Sequence, residues 1–201
     1  MTDNHLMIFV KNPVPGKAKT RLAASVGDQK AIDIYKFLLS YTAYIATEVE
    51  STRTVFYSSH IEKNDMFSSS QFQKDIQSDG DLGDKMNVAF EGAFHQGYQK
   101  NVIIGSDCYE LNHEIIKGAF RMLDEKDFVI GPAVDGGYYL LGMKQKEPAI
   151  FQNKHWSSSR LYADTLIDFE ALGYSYHELP TLSDIDYIED LPAEIKSKFN
   201  V

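Results

Sequence analysis

Short apolar runs, each followed by a polar loop and then a stretch of helical periodicity, recur along this chain of 201 residues. "LMIFV" (6–10), "RTVFYSS" (53–59), "NVIIGSD" (101–107) and "DFVIG" (127–131) are runs of the length and composition of buried strands. "FQKDIQS" is a weaker strand, and "GGYYLLGM" (136–143) and "YSYHELP" complete the set. Between them lie helical patterns. From Asp28, read as an N-cap, Tyr35, Leu38, Thr42, Ile45 and Val49 fall on one face, and Met86, Phe90 and Ala93 do the same within residues 84–98. Asn112 caps a helix bearing Ile116, Phe120 and Leu123. "SSSRLYADTLIDFEALG" reads as a helix with serines at its start and Gly173 at its end, and "EDLPAEIKSKF" as a terminal helix. Strands alternating with helices give an α/β fold: a three-layer sandwich around a mostly parallel, Rossmann-like sheet. With no repeat and no composition break, one domain is expected over residues 1–201.

The charge is divided unevenly. Lys11, Lys17, Lys19 and Arg21 fall in the loop after the first apolar run, and no Asp or Glu occurs from Asn4 to Gly27. Yet the formal charge of the chain is −9. An acidic body with one short basic loop suits a small anion rather than nucleic acid, which demands an extended basic surface. No apolar run approaches the roughly 20 residues of a membrane span. The single cysteine, Cys108, excludes an internal disulfide and fits a cytoplasmic location.

Five stretches carry candidate chemistry. "KNPVPGKAKTRL" joins a strand to a helix through a Pro/Gly loop, so backbone N–H groups near Gly16 and the cations Lys11, Lys17, Lys19 and Arg21 suit phosphate oxygens. It is not a Walker A loop, because Pro13 and Ala18 stand where glycines are required. In "VIIGSDC", Asp107 at the tip of an apolar strand is placed to hold a divalent cation or to cap a turn. In "GPAVDGGYYLLGM", Asp135 precedes paired glycines and reads either as a hydroxyl ligand or base, or as turn chemistry alone. In "LSDIDYIEDL", Asp184 or Asp186 completes a metal site or caps a helix. "DGDLGDKM" offers Lys85 as a further anion contact.

Other chemistries lack support. "HEIIK" begins like a zinc-protease helix but has Lys117 where the second histidine belongs. No His/Cys cluster has zinc spacing, and no G-x-S-x-G elbow is present. Trp156 in "KHWSSSR" reads as structural rather than as a stacking platform.

Taken together, "KNPVPGKAKTRL", "GDLGDKM", "GSDC", "DGGYYLLGM", "HWSSSRLYADTL" and "DIDYIEDL" resemble, in order, the rSAM/selenodomain-associated transferase 1 family of bacteria. Its members are provisionally assigned as glycosyltransferases. The resemblance runs from residue 8 to about residue 191 and implies the GT-A, or nucleotide-diphospho-sugar transferase, fold. It further implies Mg2+ or Mn2+ bridging a nucleotide diphosphate to Asp107, with Asp186 near the metal and the four cations facing phosphate. One departure is Tyr109, where the family commonly has proline after "GSDC".

Three functions follow as expectations. The first is metal-dependent transfer of a sugar from a nucleotide-diphospho-sugar to a small acceptor, with Asp135 orienting or deprotonating the acceptor hydroxyl. The second is nucleotidyl transfer from a nucleoside triphosphate with release of pyrophosphate, for which four cations are well suited. A non-catalytic nucleotide-binding module ranks below both, because such a module has no need of Asp107, Asp135 and Asp186 together.

Overall fold

The computed structural model describes residues 3–156 and 158–201. It is built on one seven-stranded sheet. The strands are β1 (Asn4–Val10), β2 (Thr52–Tyr57), β3 (Gln73–Ile76), β4 (Lys100–Ile104), β5 (Phe128–Pro132), β6 (Tyr138–Met143) and β7 (Tyr176–Glu178). Six helices connect them: α1 (Thr20–Val26), α2 (Asp28–Thr47), α3 (Leu82–His95), α4 (His113–Met122), α5 (Leu161–Ala171) and α6 (Ala193–Phe199). A short 3-10 turn spans Pro148–Phe151.

The sheet order is β3-β2-β1-β4-β6-β5-β7. All pairs are parallel except those of β6, which runs antiparallel to β4 and β5. The expected α/β class is therefore correct, and its one departure is local. β5 and β6 are joined by a turn of five residues (133–137), too short for the helical crossover that parallel strands need.

Side-chain alternation along the strands produces the three layers. In β1, Leu6, Ile8 and Val10 enter a cluster shared with α1, α2, α4 and α6, whereas Met7 enters a second cluster with α3 and α5. β1 packs on both faces, so its sequence from Leu6 to Val10 is continuously apolar rather than alternating.

Helix boundaries differ from the periodic reading in instructive ways. α2 begins at Asp28 with Gly27 as its cap, so Asp28 lies in the first turn, where its charge suits the helix N-terminus. Asn112 does cap α4, accepting from the Ile115 amide at 3.1 Å. α3 begins two residues before the expected start, at a capping box in which Asp81 and Asp84 accept each other's amides. α5 begins at Leu161, after the serines; Ser158 and Ser159 lie in the preceding loop, and Ser157 lies outside the described residues. Among the described residues, no helix is long and apolar enough to cross a membrane.

From β1 the chain proceeds outward in one direction through β2 and β3, and then returns to build β4 on the other side. Loops at the carboxyl ends of β1 and β4 therefore diverge and leave a crevice, the usual ligand position in open α/β sheets.

Candidate functional site

A cleft of about 550 Å³ opens at that switch point. Among the side chains that line it are Lys11, Lys19, Arg21, Asp107, Asp135 and Asp186. With Asp184, which also lines it, seven of the sequence candidates, distant in the chain, share one cavity. Gly16, Lys17 and Lys85 lie outside its lining.

The basic loop owes its course to Asn12. This residue is buried, and its Oδ1 accepts from the Ser59 amide at 3.0 Å and from the Ser59 hydroxyl at 2.9 Å. Its Nδ2 donates to the His60 carbonyl at 2.9 Å, which ties the loop to the end of β2. Tyr35 of α2 then links the two strand ends that frame the cleft. Its hydroxyl accepts from the Lys11 amide at 3.1 Å and lies 3.0 Å from the Ser106 hydroxyl. Burial first, and the nearby Asp107 charge second, push the Tyr35 phenol up to about 12. It is a neutral structural bridge over the whole working pH range.

Beyond Tyr35, Lys19 crosses the cleft floor. Its Nζ donates to Asp107 Oδ2 at 2.7 Å, to Asp186 Oδ1 at 3.0 Å and to the Ile185 carbonyl at 2.6 Å. All three ammonium protons are thereby used. Burial opposes the charge, but Asp107 and Asp186 outweigh it, and the Lys19 pKa is raised. The backbone of Lys19 is left-handed, with φ 52° and ψ 42°. That conformation costs a non-glycine residue about 1 kcal/mol or more. Arg21, which is more than half exposed, donates to Asp186 Oδ2 at 2.8 Å. Burial works against the Asp186 carboxylate, yet Lys19 and Arg21 hold its pKa below the ordinary value.

The other wall is the β5–β6 turn. Asp135 Oδ1 accepts from the Gly137 amide at 2.8 Å, so this carboxylate does serve as turn chemistry while also facing the cleft. Gly136 has φ +88°, and a Cβ there would lie 2.0 Å from the Ser159 carbonyl oxygen. The loop before α5 is thus pressed against the turn. It is held at its other end by Lys154, which pairs with Asp168 at 2.5 Å, and by Trp156, whose indole lies against Gly83 at the start of α3. Trp156 has the structural role expected of it.

Asp184 has the least satisfied carboxyl in the cleft. Its Oδ1 is buried without a hydrogen-bond partner. Burial and the charge of Asp107 push it up to about 7, with Asp135 and Asp186 acting in the same direction. Among the described residues no three His, Cys, Asp or Glu side chains form a ready metal cage, and the ammonium of Lys19 stands between Asp107 and Asp186. The donor set nonetheless fits a hard divalent cation. It consists of carboxylate oxygens at the end of the sheet, one of them orphaned and short of positive charge.

Two cleft residues escaped the sequence reading. Tyr35 lay within a helical apolar stripe and carried no local signal. Gln77, which lines the cleft after β3, donates its amide to the carbonyls of Val10 at 3.1 Å and Phe56 at 3.0 Å. Asn12 was hidden inside the basic motif as a neutral residue. Tyr109, at the place of the missing proline, packs in tilted contact with Phe37 and Tyr41, so ring packing holds the segment after Asp107. Cys108 is buried beside it, and burial, followed by the charge of Asp184, pushes its thiol up to about 12.

Fold and cleft together define an enzyme of the transferase class, built on the nucleotide-diphospho-sugar transferase and nucleotidyltransferase architecture. The chain shares 30% identity and a TM-score of 0.88 with a provisionally assigned nucleotide-diphospho-sugar transferase from Desulfovibrio desulfuricans G20, over 93% of this chain and 84% of that one. The chain belongs to the DUF2064 family, described as an uncharacterized protein conserved in bacteria, whose model matches residues 42–158. More distant structures share the fold. The inositol-1-phosphate CTP transferase from T. maritima is 15% identical with a TM-score of 0.57, covering 98% of this chain and 96% of that one. A manganese complex of Rv0371C from Mycobacterium tuberculosis H37Rv is 10% identical with a TM-score of 0.55, covering 93% and 94%. No curated protein matches the sequence.

Proposed function

We propose that this protein transfers a sugar from a nucleotide-diphospho-sugar to a small acceptor, assisted by Mg2+ or Mn2+. The observation that carries the reading is the joining of Lys11, Lys19 and Arg21 with Asp107, Asp135 and Asp186 in one cleft. Three lining cations suit a diphosphate. The argument from four cations for a triphosphate weakens, since Lys17 lies outside the lining. The similarity to the Desulfovibrio transferase and the motif order of the rSAM/selenodomain-associated transferases support the same choice.

In this mechanism Asp107 and Asp186 would hold the metal, which would supply charge neutralisation for the leaving nucleoside diphosphate. Lys11 and Arg21 bind the diphosphate oxygens and orient the donor. Asp135 accepts a hydrogen bond from the acceptor hydroxyl, and removes its proton as the oxygen attacks the anomeric carbon. Its bond to the Gly137 amide fixes one carboxylate oxygen and leaves the other for this contact.

The test is to identify the leaving group. Purified protein is incubated with nucleotide-sugars or nucleoside triphosphates, with Mg2+ and candidate hydroxyl acceptors. Release of nucleoside diphosphate from a nucleotide-sugar is the expected result. Pyrophosphate release from a triphosphate would replace this reading with nucleotidyl transfer, which the same residues can support by stabilising in-line attack at the α-phosphate.

A further inference from the structure

On the reading that Asp107 and Asp186 are the metal ligands, we propose that Lys19 gates the site: it holds the acidic pair in the free enzyme and yields it only when a diphosphate arrives. The ammonium is bonded to one oxygen of each carboxylate, at 2.7 and 3.0 Å, and its side chain is only 6% exposed. A second cation cannot bridge the same two oxygens while Lys19 stands there, because the positions coincide and the charges repel. Free metal must therefore displace a buried ammonium from two of its three acceptors, leaving it the Ile185 carbonyl and no bonded carboxylate. A metal arriving with a diphosphate brings replacement acceptors with it, since phosphate oxygens can take over the two carboxylate hydrogen bonds.

The position of Lys19 suits such an exchange. It sits at the junction of the Pro/Gly loop and α1, with a left-handed backbone that favours glycine over lysine. The strained backbone is held by what the side chain reaches, and the site's charge balance changes when that contact is given up. Arg21 keeps its own hold on the second oxygen of Asp186, so the carboxylate stays oriented as Lys19 leaves. Binding of metal and of diphosphate then becomes mutually reinforcing.

The test is protein-bound Mn2+ by equilibrium dialysis, with and without pyrophosphate, in wild type, Lys19→Gly, Lys19→Arg and Asp107→Asn. Glycine removes the ammonium and also relieves the left-handed backbone. Lys19→Gly should bind Mn2+ alone at least tenfold more tightly than wild type, and Lys19→Arg no more tightly. Pyrophosphate should tighten Mn2+ binding at least tenfold more in wild type than in Lys19→Gly. If Asp107→Asn loses Mn2+ but Lys19→Gly gains nothing, the gate is overturned and the ligand reading stands. Unchanged Mn2+ binding in Asp107→Asn overturns the ligand reading and the gate with it. A second measurement needs only wild type. The Nζ resonance of Lys19 should stay in place with Mg2+ alone and move when pyrophosphate is added; movement with Mg2+ alone overturns the gate.

Discussion

The indole of Trp156 lies so close to Gly83 that a Cβ at position 83 would come within 2.1 Å of its Cζ2 atom. This contact joins the loop before α5 to the first turn of α3, next to Leu82 of the cleft lining. The contact ties the loop before α5 to the helix that follows β3.

Gly83→Ala should therefore displace the ring and lower stability by about 1 to 3 kcal/mol, the usual cost of overpacking. Trp156 is the only tryptophan in the chain, so its emission reports the contact directly. A red shift with a lower urea midpoint is expected. An unchanged spectrum would show that the loop does not rest on α3 in solution.

A similar argument applies to the β5–β6 turn. Gly136→Ala combines a disfavoured positive φ with a clash against the Ser159 carbonyl. About 2 kcal/mol of destabilisation is expected, together with loss of turnover as Asp135 moves with the turn. Asp135→Asn, which keeps the turn bond to Gly137, should lose turnover without the stability cost. Equal stability losses in the two variants would count against Asp135 as the acceptor contact.

The cations separate into two groups. Arg21→Ala should weaken binding of a nucleoside diphosphate with Mg2+ about tenfold, the loss of one charge-assisted bond. Its cost in stability should stay below about 0.5 kcal/mol, because the pair it makes with Asp186 is largely exposed. Lys85→Ala, outside the cleft lining, should leave affinity within about twofold. Calorimetric titration of the two variants gives the comparison, and equal losses would mean that the phosphate path is not the cleft described above.

His5 lies at the opposite end of β1, stacked on Tyr98 and bonded through Nε2 to the Thr54 hydroxyl at 2.8 Å. Burial lowers its pKa to about 4. The unfolded chain, with an ordinary histidine near 6.5, binds the extra proton first as pH falls, so stability declines from about pH 6.5 towards pH 4. Between pH 7 and pH 5 the contribution is about 2 kcal/mol. Urea unfolding of wild type and His5→Gln at both pH values checks it, with a smaller pH difference expected in the variant. Identical differences would remove His5 as the source.

What the amino-acid sequence determined by itself was whatever rests on local pattern. The strands were legible because Leu6–Val10 of β1, Val102–Ile104 of β4 and Phe128–Ile130 of β5 are apolar runs that serve both faces of the sheet. The cap at Asn112 was legible because a side-chain acceptor three residues before an orphan amide is a local device. The basic loop and the acidic tips were legible as charge set against an acidic background. Tertiary structure alone decided how they combine. Nothing in the spacing of Lys19, Asp107 and Asp186 announces that one ammonium joins residues 88 and 167 positions away. Nor does it show that Asp184 is left with a buried, unpaired oxygen. The antiparallel course of β6 and the separation of Lys17 and Lys85 from the cleft are of the same kind. Side-chain charge is written in the chain, but which charges meet depends on sheet order and loop direction, and those are set by contacts between residues far apart in sequence.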